Sequence, residues 1–115
     1  KPLDGSRILV LGVAYKPDID DCRESPVIRL IDKLRTEGAD IVFFDPYIPK
    51  FLHRGKVYEG ERELTAEMVR SVDVAVIATP HSNVDYEFVR RHAKAVFDVR
   101  NATRGLADKS NIEVL

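Results

Sequence analysis

The sequence predicts a single α/β domain built on a parallel sheet, and three observations support this prediction. Short and nearly continuous apolar runs occur at residues 7–14, 40–45, 73–79 and 94–99, and such runs are typical of strands buried on both faces. Segments with a helical spacing of apolar residues lie between these runs. The chain has 115 residues, 44% of them hydrophobic and 32% charged, which suits one domain with one core.

The first helix has clear start and stop signals. Ser25 is a good N-cap because its hydroxyl accepts a hydrogen bond from the free N–H groups of the first turn, and Pro26 suits the first helical position. Gly38 is a typical residue just beyond a helix end. Four apolar residues between these signals fall on one helical face: Val27, Leu30, Ile31 and Leu34.

The remaining elements follow the same alternation. Two short helices are predicted at residues 65–72 and 85–92, and residues 112–115 are a candidate edge strand. Residues 47–63 are polar and contain proline and glycine, so we expect them to be irregular. Strands that alternate with helices predict a Rossmann-like doubly wound parallel sheet with helices on both faces, as a single three-layer domain.

The composition argues against several classes of partner. The net charge is -1, so no overall basic field would draw the chain to nucleic acid or to an anionic membrane. No apolar run approaches the roughly 20 residues that a membrane helix needs. The single cysteine, Cys22, excludes an internal disulfide and predicts a reducing cytoplasm as the location. His53, His81 and His92 lack the spacing of metal ligands, so no metal site is predicted.

The chain begins at Lys1 rather than at a methionine, and its one methionine is Met68. We expect a piece of a longer protein, with one domain over residues 1–115 in which residues 1–6 are the remnant of a linker. Proteolysis or tag removal is the alternative explanation for this start.

Polar residues follow each predicted strand at the point where a ligand would bind. In open parallel sheets, ligands lie beyond the carboxyl ends of the strands. Tyr15 and Lys16 follow the first strand, Asp45 the second, His81 the third and Arg100 the fourth. Two cations and an aromatic ring suit a phosphorylated ligand with a base to stack on. The alternative is that these are the ordinary polar loop ends of an α/β domain.

The turn after the first strand argues against NAD binding in this domain. It contains one glycine, Gly12, rather than the G-x-G-x-x-G pattern that lets the backbone approach a pyrophosphate. Tyr15 and Lys16 would obstruct that approach. We therefore predict no cofactor-binding residue in this chain.

Residues 12–26, GVAYKPDIDDCRESP, closely resemble the opening of the C-terminal domain of the UDP-glucose/GDP-mannose dehydrogenase family. Two later segments agree with the resemblance, DPY at residues 45–47 and FDVRN at residues 97–101. The match covers essentially the whole chain, and the first motif is long enough to be specific.

The resemblance implies that the full-length protein oxidises C6 of a nucleotide sugar from alcohol to carboxylate with two NAD. It places NAD in an N-terminal Rossmann domain, the cysteine nucleophile in the preceding half, and a long central helix at a homodimer interface. This chain would then bind the UDP-sugar, dock against its own N-terminal NAD domain, hold no catalytic residue and be inactive alone. The segments DVRNAT and HSNVDY look closest to members acting on UDP-N-acetylglucosamine or UDP-N-acetylmannosamine, with UDP-glucose next.

The same resemblance assigns roles to individual residues. Lys16 would reach the sugar near the reacting carbon, Tyr15 would pack near the nucleotide sugar, and Arg100 would bind the UDP end. His81 is a further candidate for substrate contact, with a satisfied loop histidine as the alternative.

Other residues of the first motif are expected to be structural. Asp21 and Arg23 would form an ion pair or backbone hydrogen bonds that shape the loop, and Ser25 and Pro26 would start the helix. Cys22 lies at a variable position of the motif with no histidine near it in sequence, so we expect no nucleophile there.

A second class of function stays open on the sequence alone. The chain could be a non-catalytic nucleotide-binding or regulatory module with the same fold. A glycine fingerprint and a cysteine-bearing segment upstream would favour the enzyme. Use in the synthesis of surface polysaccharide precursors follows from the enzyme hypothesis alone.

Overall fold

The computed structural model describes residues 4–19, 21–22 and 25–114 of the chain. Strands and helices alternate through most of these residues. In chain order, the elements are β1 (Arg7–Leu11), α1 (Pro26–Thr36), β2 (Asp40–Phe44), β3 (Lys50–His53), β4 (Lys56–Glu59), α2 (Ala66–Ser71), β5 (Val74–Ile77), α3 (Tyr86–His92), β6 (Val96–Asp98) and β7 (Ile112–Val114).

Five strands form one parallel sheet in the spatial order β2-β1-β5-β6-β7. β1 pairs with β2 on one side and β5 on the other, so that Leu9 lies opposite both Val42 and Ala75. The chain runs from β1 to one edge and then returns to build the other half of the sheet. The predicted Rossmann-like doubly wound parallel sheet is therefore confirmed.

Successive residues of β1 point to opposite faces of the sheet and enter separate cores. Val10 belongs to a core that contains Ile31 of α1, whereas Leu9 belongs to one that contains Val69 of α2 and Val89 of α3. All five side chains are completely buried. Helices thus lie on both faces of the sheet, and the predicted single three-layer domain is also confirmed.

The start and stop signals of α1 lie where its sequence pattern predicts. The Ser25 hydroxyl accepts a hydrogen bond from the Val27 N–H at 3.3 Å, and Pro26 is the first helical residue. Gly38 adopts φ 97° and donates its N–H to the Arg35 carbonyl at 3.0 Å. The left-handed conformation at Gly38 ends the helix and turns the chain into β2.

The prediction that residues 47–63 are irregular is wrong, because they contain the antiparallel hairpin β3–β4. The rings of Phe51 and Tyr58 stack at a centroid distance of 5.0 Å, and Phe51 also lies 5.2 Å from Phe43 of β2. One face of the hairpin therefore packs against the α1 side of the domain.

Two features of this hairpin hid it from sequence patterns. Its outward face carries Leu52 and Val57, which are 69% and 57% exposed, so its pattern of polar and apolar residues does not follow burial. Its turn uses Arg54 and Gly55, both at positive φ, instead of the Asn-Gly or Asp-Gly pair that signals such turns.

The first strand ends earlier than its apolar run predicts. β1 stops at Leu11 because Gly12 adopts φ 86°, and a Cβ at this position would collide with the Thr79 carbonyl. Val13 and Ala14 remain buried but belong to the following loop. The loop therefore begins inside the protein and emerges at Tyr15, which is 49% exposed.

The two ends of the described chain are held by backbone hydrogen bonds to other elements. Gly5 donates its N–H to the Gly38 carbonyl at 3.2 Å, while residues 1–3 lie outside the described part, so the linker assignment of residues 1–6 stays a prediction. At the other end, β7 pairs with β6 as the predicted edge strand, and Leu115 is outside the described residues. Within that described part, no helix has the length and apolar character to cross a membrane.

Candidate functional site

Four loops meet at one edge of the sheet, because β1, β2, β5 and β6 run parallel and end there. Asp45, just after β2, has a fully buried side chain that accepts hydrogen bonds from backbone groups at this edge. Its Oδ2 accepts hydrogen bonds from the N–H groups of Val13 at 2.8 Å and Ala14 at 3.2 Å. Its Oδ1 accepts from the N–H groups of Tyr47 at 2.8 Å and Ile48 at 3.2 Å.

His81, after β5, completes the set of donors around Asp45. Its Nε2 lies 2.8 Å from Asp45 Oδ2, and its Nδ1 lies 2.7 Å from the backbone nitrogen of Asp18. Because a backbone N–H can only donate, Nδ1 accepts and Nε2 carries the proton that is donated to Asp45. The side chain is 0% exposed and packs edge-on against Tyr47 at 4.8 Å between ring centroids. Substrate contact by His81 therefore stays a prediction, one that would require the ring to leave these bonds.

Asp18 links the loop after β1 to the loop after β5 a second time. It adopts φ 63°, and its Oδ1 accepts hydrogen bonds from the Ser82 N–H at 2.7 Å and the Ser82 hydroxyl at 3.0 Å. The bond from the Ser82 N–H is the main reason that the pKa of Asp18 lies below its usual range. The Asp18 carboxylate is thus hydrogen-bonded to both donors of Ser82 in the loop after β5.

The loop after β6 is fixed by Asp98, whose carboxylate is buried. Oδ1 accepts from the N–H groups of Arg100 and Ala102, and Oδ2 accepts from the N–H and hydroxyl of Thr103. Burial alone would raise the pKa of Asp98, but the bonds from Thr103, Ala102 and Arg100 together hold it below its ordinary value. The backbone of Arg100 is therefore anchored while its side chain remains exposed.

Tyr15, Lys16 and Arg100 all lie at this edge of the sheet. Tyr15 donates its N–H to the Asp21 carbonyl at 2.7 Å, and the Lys16 ammonium lies 5.8 Å from the centroid of the Tyr15 ring. Arg100 Nη1 lies 3.5 Å from the carbonyl of Ala78. One aromatic ring and two cationic groups therefore face solvent beside a buried hydrogen-bonded network.

Two cavities border Arg100. The first is an apolar groove of about 490 Å³ between α1 and strands β5 and β6, with Tyr15 and Arg100 in its wall. Its lining includes Leu30 of α1 and Phe97 of β6. The second is a hollow of about 370 Å³ that Arg100 shares with Arg104 and Ser82. A ligand at this edge would meet an apolar surface on one side of Arg100 and a polar, cationic one on the other.

The structural residues of the motif are described only in part. Asp21 accepts the Tyr15 N–H, and the Cys22 carbonyl accepts the Ser25 N–H at 3.1 Å. Cys22 packs against the core on the α1 side. Arg23 lies outside the described residues, so its ion pair with Asp21 stays a prediction.

Sequence patterns assigned no structural role to several groups that shape this edge. Asp45 was expected only as a strand-end residue, and nothing local singles out Asp18 or Arg104. In the part of the chain that the structure describes, no three His, Cys, Asp or Glu side chains converge as a metal site would require.

Residues 9–105 match the UDP binding domain of the UDP-glucose/GDP-mannose dehydrogenase family. The chain belongs to this family. The chain is 35% identical over 101 residues to UDP-glucose 6-dehydrogenase AglM of Haloferax volcanii, a match covering 85% of the chain and 24% of the relative. It is 29% identical to UDP-N-acetyl-D-mannosamine dehydrogenase of Methanocaldococcus jannaschii, over 96% of the chain and 26% of that protein.

A solved structure of a family member has the same fold. The structure of the UDP-D-ManNAc dehydrogenase from Pyrococcus horikoshii superposes with a TM-score of 0.73 at 26% identity, over 99% of this chain and 26% of that one. The chain thus spans about a quarter of the length of these dehydrogenases. Both the resemblance drawn from the sequence and the fold drawn from it are confirmed.

Proposed function

We propose that this chain is the UDP-sugar-binding domain of an NAD-dependent UDP-sugar 6-dehydrogenase, which oxidises a C6 alcohol to a carboxylate in the cytoplasm. The observation that carries the proposal is the position of Tyr15, Lys16 and Arg100 at one sheet edge of a domain from a UDP-binding family. Parallel sheets bind ligands at this edge, and the three side chains suit a nucleoside diphosphate attached to a sugar.

Arg100 is assigned to the UDP end of the substrate. Its planar guanidinium can donate two parallel hydrogen bonds to phosphate oxygens. Its backbone is held by Asp98, and Arg104 lines the same polar hollow. A diphosphate in or beside this hollow would meet two arginines. Because the position is accessible to solvent, binding there would cost little desolvation free energy.

Lys16 is assigned to the sugar end. Its ammonium is exposed beside Tyr15, on a flexible stem that can follow a sugar hydroxyl or a carboxylate. During oxidation at C6, negative charge develops on oxygen, and a nearby ammonium stabilises that charge. Tyr15 offers an exposed ring at the mouth of the apolar groove, where it can pack against the substrate.

The residues of the first turn do not fit a dinucleotide. In a dinucleotide fold, the N–H groups after the first strand face the pyrophosphate. Here the N–H groups of Val13 and Ala14 donate to Asp45, and the Thr79 backbone closes over Gly12. A carboxylate occupies the place that an anion would take. NAD is therefore assigned to another part of the dehydrogenase.

The apolar groove is assigned to the rest of the same polypeptide, including its NAD domain. Parallel sheets are normally covered on both faces. Among the described residues, α1 is the helix on its face of the sheet, and the groove leaves Phe97 of β6 accessible beside it. Because the family members that this chain matches are about four times longer, they have chain available to cover this surface. A homodimer of the full-length enzyme is proposed from the family resemblance.

The substrate is proposed to be a UDP-N-acetylhexosamine, with UDP-glucose as the second candidate. The support is the HSNVDY and DVRNAT segments, together with the UDP-N-acetyl-D-mannosamine dehydrogenases among the relatives. Such an enzyme would supply acidic sugars for surface polysaccharides.

Calorimetric titration of the 115-residue chain with UDP, UMP and NAD tests the proposal. We expect UDP to bind more tightly than UMP, NAD not to bind, and Arg100→Ala to weaken UDP binding. Arg91→Ala is the matched control, because Arg91 is an exposed arginine of α3 paired with Glu87. NAD binding in preference to UDP, or no UDP binding, would contradict the proposal. UDP binding without dehydrogenase activity of the intact protein would favour a regulatory module.

A further inference from the structure

We infer that His81 and Asp45 are positioning residues that hold Tyr15 and Lys16 in the geometry that binds the UDP-sugar. The inference rests on the proposed function of that edge. Neither side chain reaches solvent, and each bonds to the loop after β1, which carries Tyr15 and Lys16. They would act on the substrate through this loop and not by touching it.

The loop is anchored on both sides of its exposed tip. On the near side, the Ala14 N–H donates to Asp45, and the Ala14 carbonyl accepts from the Thr79 hydroxyl at 2.8 Å. On the far side, the Asp18 N–H donates to His81 Nδ1 at 2.7 Å. Between the anchors lie only three residues, which include Tyr15 and Lys16. Any shift of the anchors therefore moves both side chains.

The two anchors are coupled directly by the hydrogen bond between His81 Nε2 and Asp45 Oδ2 at 2.8 Å. Asp45 Oδ2 is shared between this bond and the amides at the near anchor. The imidazole connects Asp45 to Asp18, because one ring nitrogen donates to the Asp45 carboxylate and the other accepts from the Asp18 N–H. A second link, from Ser82 to Asp18 Oδ1, attaches the far anchor to the same loop that holds His81.

Substitutions of His81 can separate the donor function of its ring from the acceptor function. An asparagine amide occupies the region of Nδ1, and a glutamine amide that of Nε2, so His81→Asn preserves the acceptor for Asp18 and His81→Gln the donor to Asp45. Because His81 is the acceptor of the Asp18 N–H among the described residues, we expect His81→Asn to retain more ligand affinity than His81→Gln.

The experiment measures UDP-N-acetylglucosamine binding to the 115-residue chain by calorimetry, with thermal unfolding in parallel. We expect His81→Ala to weaken binding at least about fivefold, the size of one lost hydrogen-bonded restraint. Val69→Ala is the control, because Val69 is completely buried in the core on the opposite sheet face and should lower stability without altering affinity. Equal affinity of His81→Ala and Val69→Ala would overturn the inference.

A double-mutant cycle separates positioning from general stability. If His81 acts through the loop, the losses of binding free energy caused by His81→Ala and Lys16→Ala should be less than additive. The reason is that Lys16 is already misplaced in the His81 variant. His81→Ala and Arg100→Ala should be additive, because Asp98 fixes Arg100 independently. Additivity with Lys16→Ala would overturn the inference. If His81→Ala does not fold, His81→Gln enters the same cycle, because it loses the acceptor for the Asp18 N–H. Failure of the proposed function would appear in the wild-type chain as absent binding, whereas failure of this inference appears in the variants alone.

Discussion

Thr103 donates two hydrogen bonds to a single oxygen of Asp98, from its backbone N–H at 2.8 Å and from its hydroxyl. The hydroxyl bond is the shorter one, at 2.6 Å, and both groups are buried. Because hydrogen bonds to a buried carboxylate stabilise its charged form, this pair contributes to the low pKa of Asp98. It also closes the loop that presents Arg100.

Thr103→Val should lower the free energy of unfolding by about 1.5–3 kcal/mol at pH 7, because one bond to a buried charge is lost. The folded-state pKa of Asp98 lies below its ordinary 3.8, so its contribution is fully present above that value and is lost as the pH falls through the folded-state pKa. In the variant this pKa rises, so acid unfolding should begin at a higher pH. Urea unfolding between pH 3 and pH 7 measures both effects.

Thr36→Val is the matched control, because the Thr36 hydroxyl donates to a backbone carbonyl on the exposed end of α1. It should change stability by less than about 0.5 kcal/mol. Equal losses in the two variants, with no shift in acid unfolding, would show that Asp98 does not depend on Thr103.

Gly12→Ala should destabilise the domain by at least about 2 kcal/mol, because backbone strain and a collision add together. Gly12 has φ 86°, and its absent Cβ would meet the Thr79 backbone. Gly55→Ala is the control, since Gly55 has φ 76° with open space around it. Urea unfolding measures the loss of unfolding free energy in both variants, and the difference between the two losses gives the cost of the collision. No difference would mean that Thr79 can move away without cost.

Tyr58→Phe should cost about 1–2 kcal/mol, because its hydroxyl donates to Asp32 of α1 at 3.0 Å while its ring packs in the core. Burial, followed by the bond to Asp32, raises the pKa of Tyr58 above 10.0. The neutral folded form is therefore favoured, and this stability is present below pH 10 and lost as the pH rises through the folded-state pKa. The free energy of unfolding, measured from pH 8 to pH 11, should fall less steeply with pH in Tyr58→Phe than in the unsubstituted chain. Leu52→Ala, on the exposed hairpin face, should leave that slope unchanged.

Local sequence signals predicted the alternating strands and helices of the fold. The hairpin that they missed depends on contacts between residues distant in sequence. The apolar run of β1 and the signals at Ser25, Pro26 and Gly38 act within a few residues, so they can be recognised without the structure. The hairpin β3–β4 was missed because exposed Leu52 and Val57 obscure its alternation, and because Phe51 packs against Phe43, which belongs to another element.

The same distinction applies to the candidate site. Tyr15, Lys16 and Arg100 were expected at one edge because parallel topology brings strand ends together. The bond between His81 and Asp45 joins residues 36 positions apart, and the one between His81 and Asp18 joins residues 63 apart. Their pairing depends on the exact meeting of three loops, which no local pattern encodes.

The proposed roles of Lys16 and Arg100 predict different kinetic defects in the intact dehydrogenase. Arg100→Ala should raise KM with a smaller change in kcat, because the UDP end is unchanged during the reaction and is bound equally in ground and transition states. It should also weaken inhibition by UDP by about 1.5–3 kcal/mol. Arg100→Lys should not restore the full affinity, because an ammonium cannot replace the planar fork.

Lys16→Ala should lower kcat, because the ammonium is most valuable when negative charge develops on the sugar oxygen. Inhibition by UDP should change little, since UDP lacks the sugar that Lys16 would contact. Steady-state kinetics with UDP as an inhibitor compare the two variants directly. If Lys16→Ala weakened UDP as much as Arg100→Ala while kcat stayed unchanged, the two ends of the substrate would have to be exchanged, with the diphosphate beside Tyr15 and the sugar in the hollow next to Arg104.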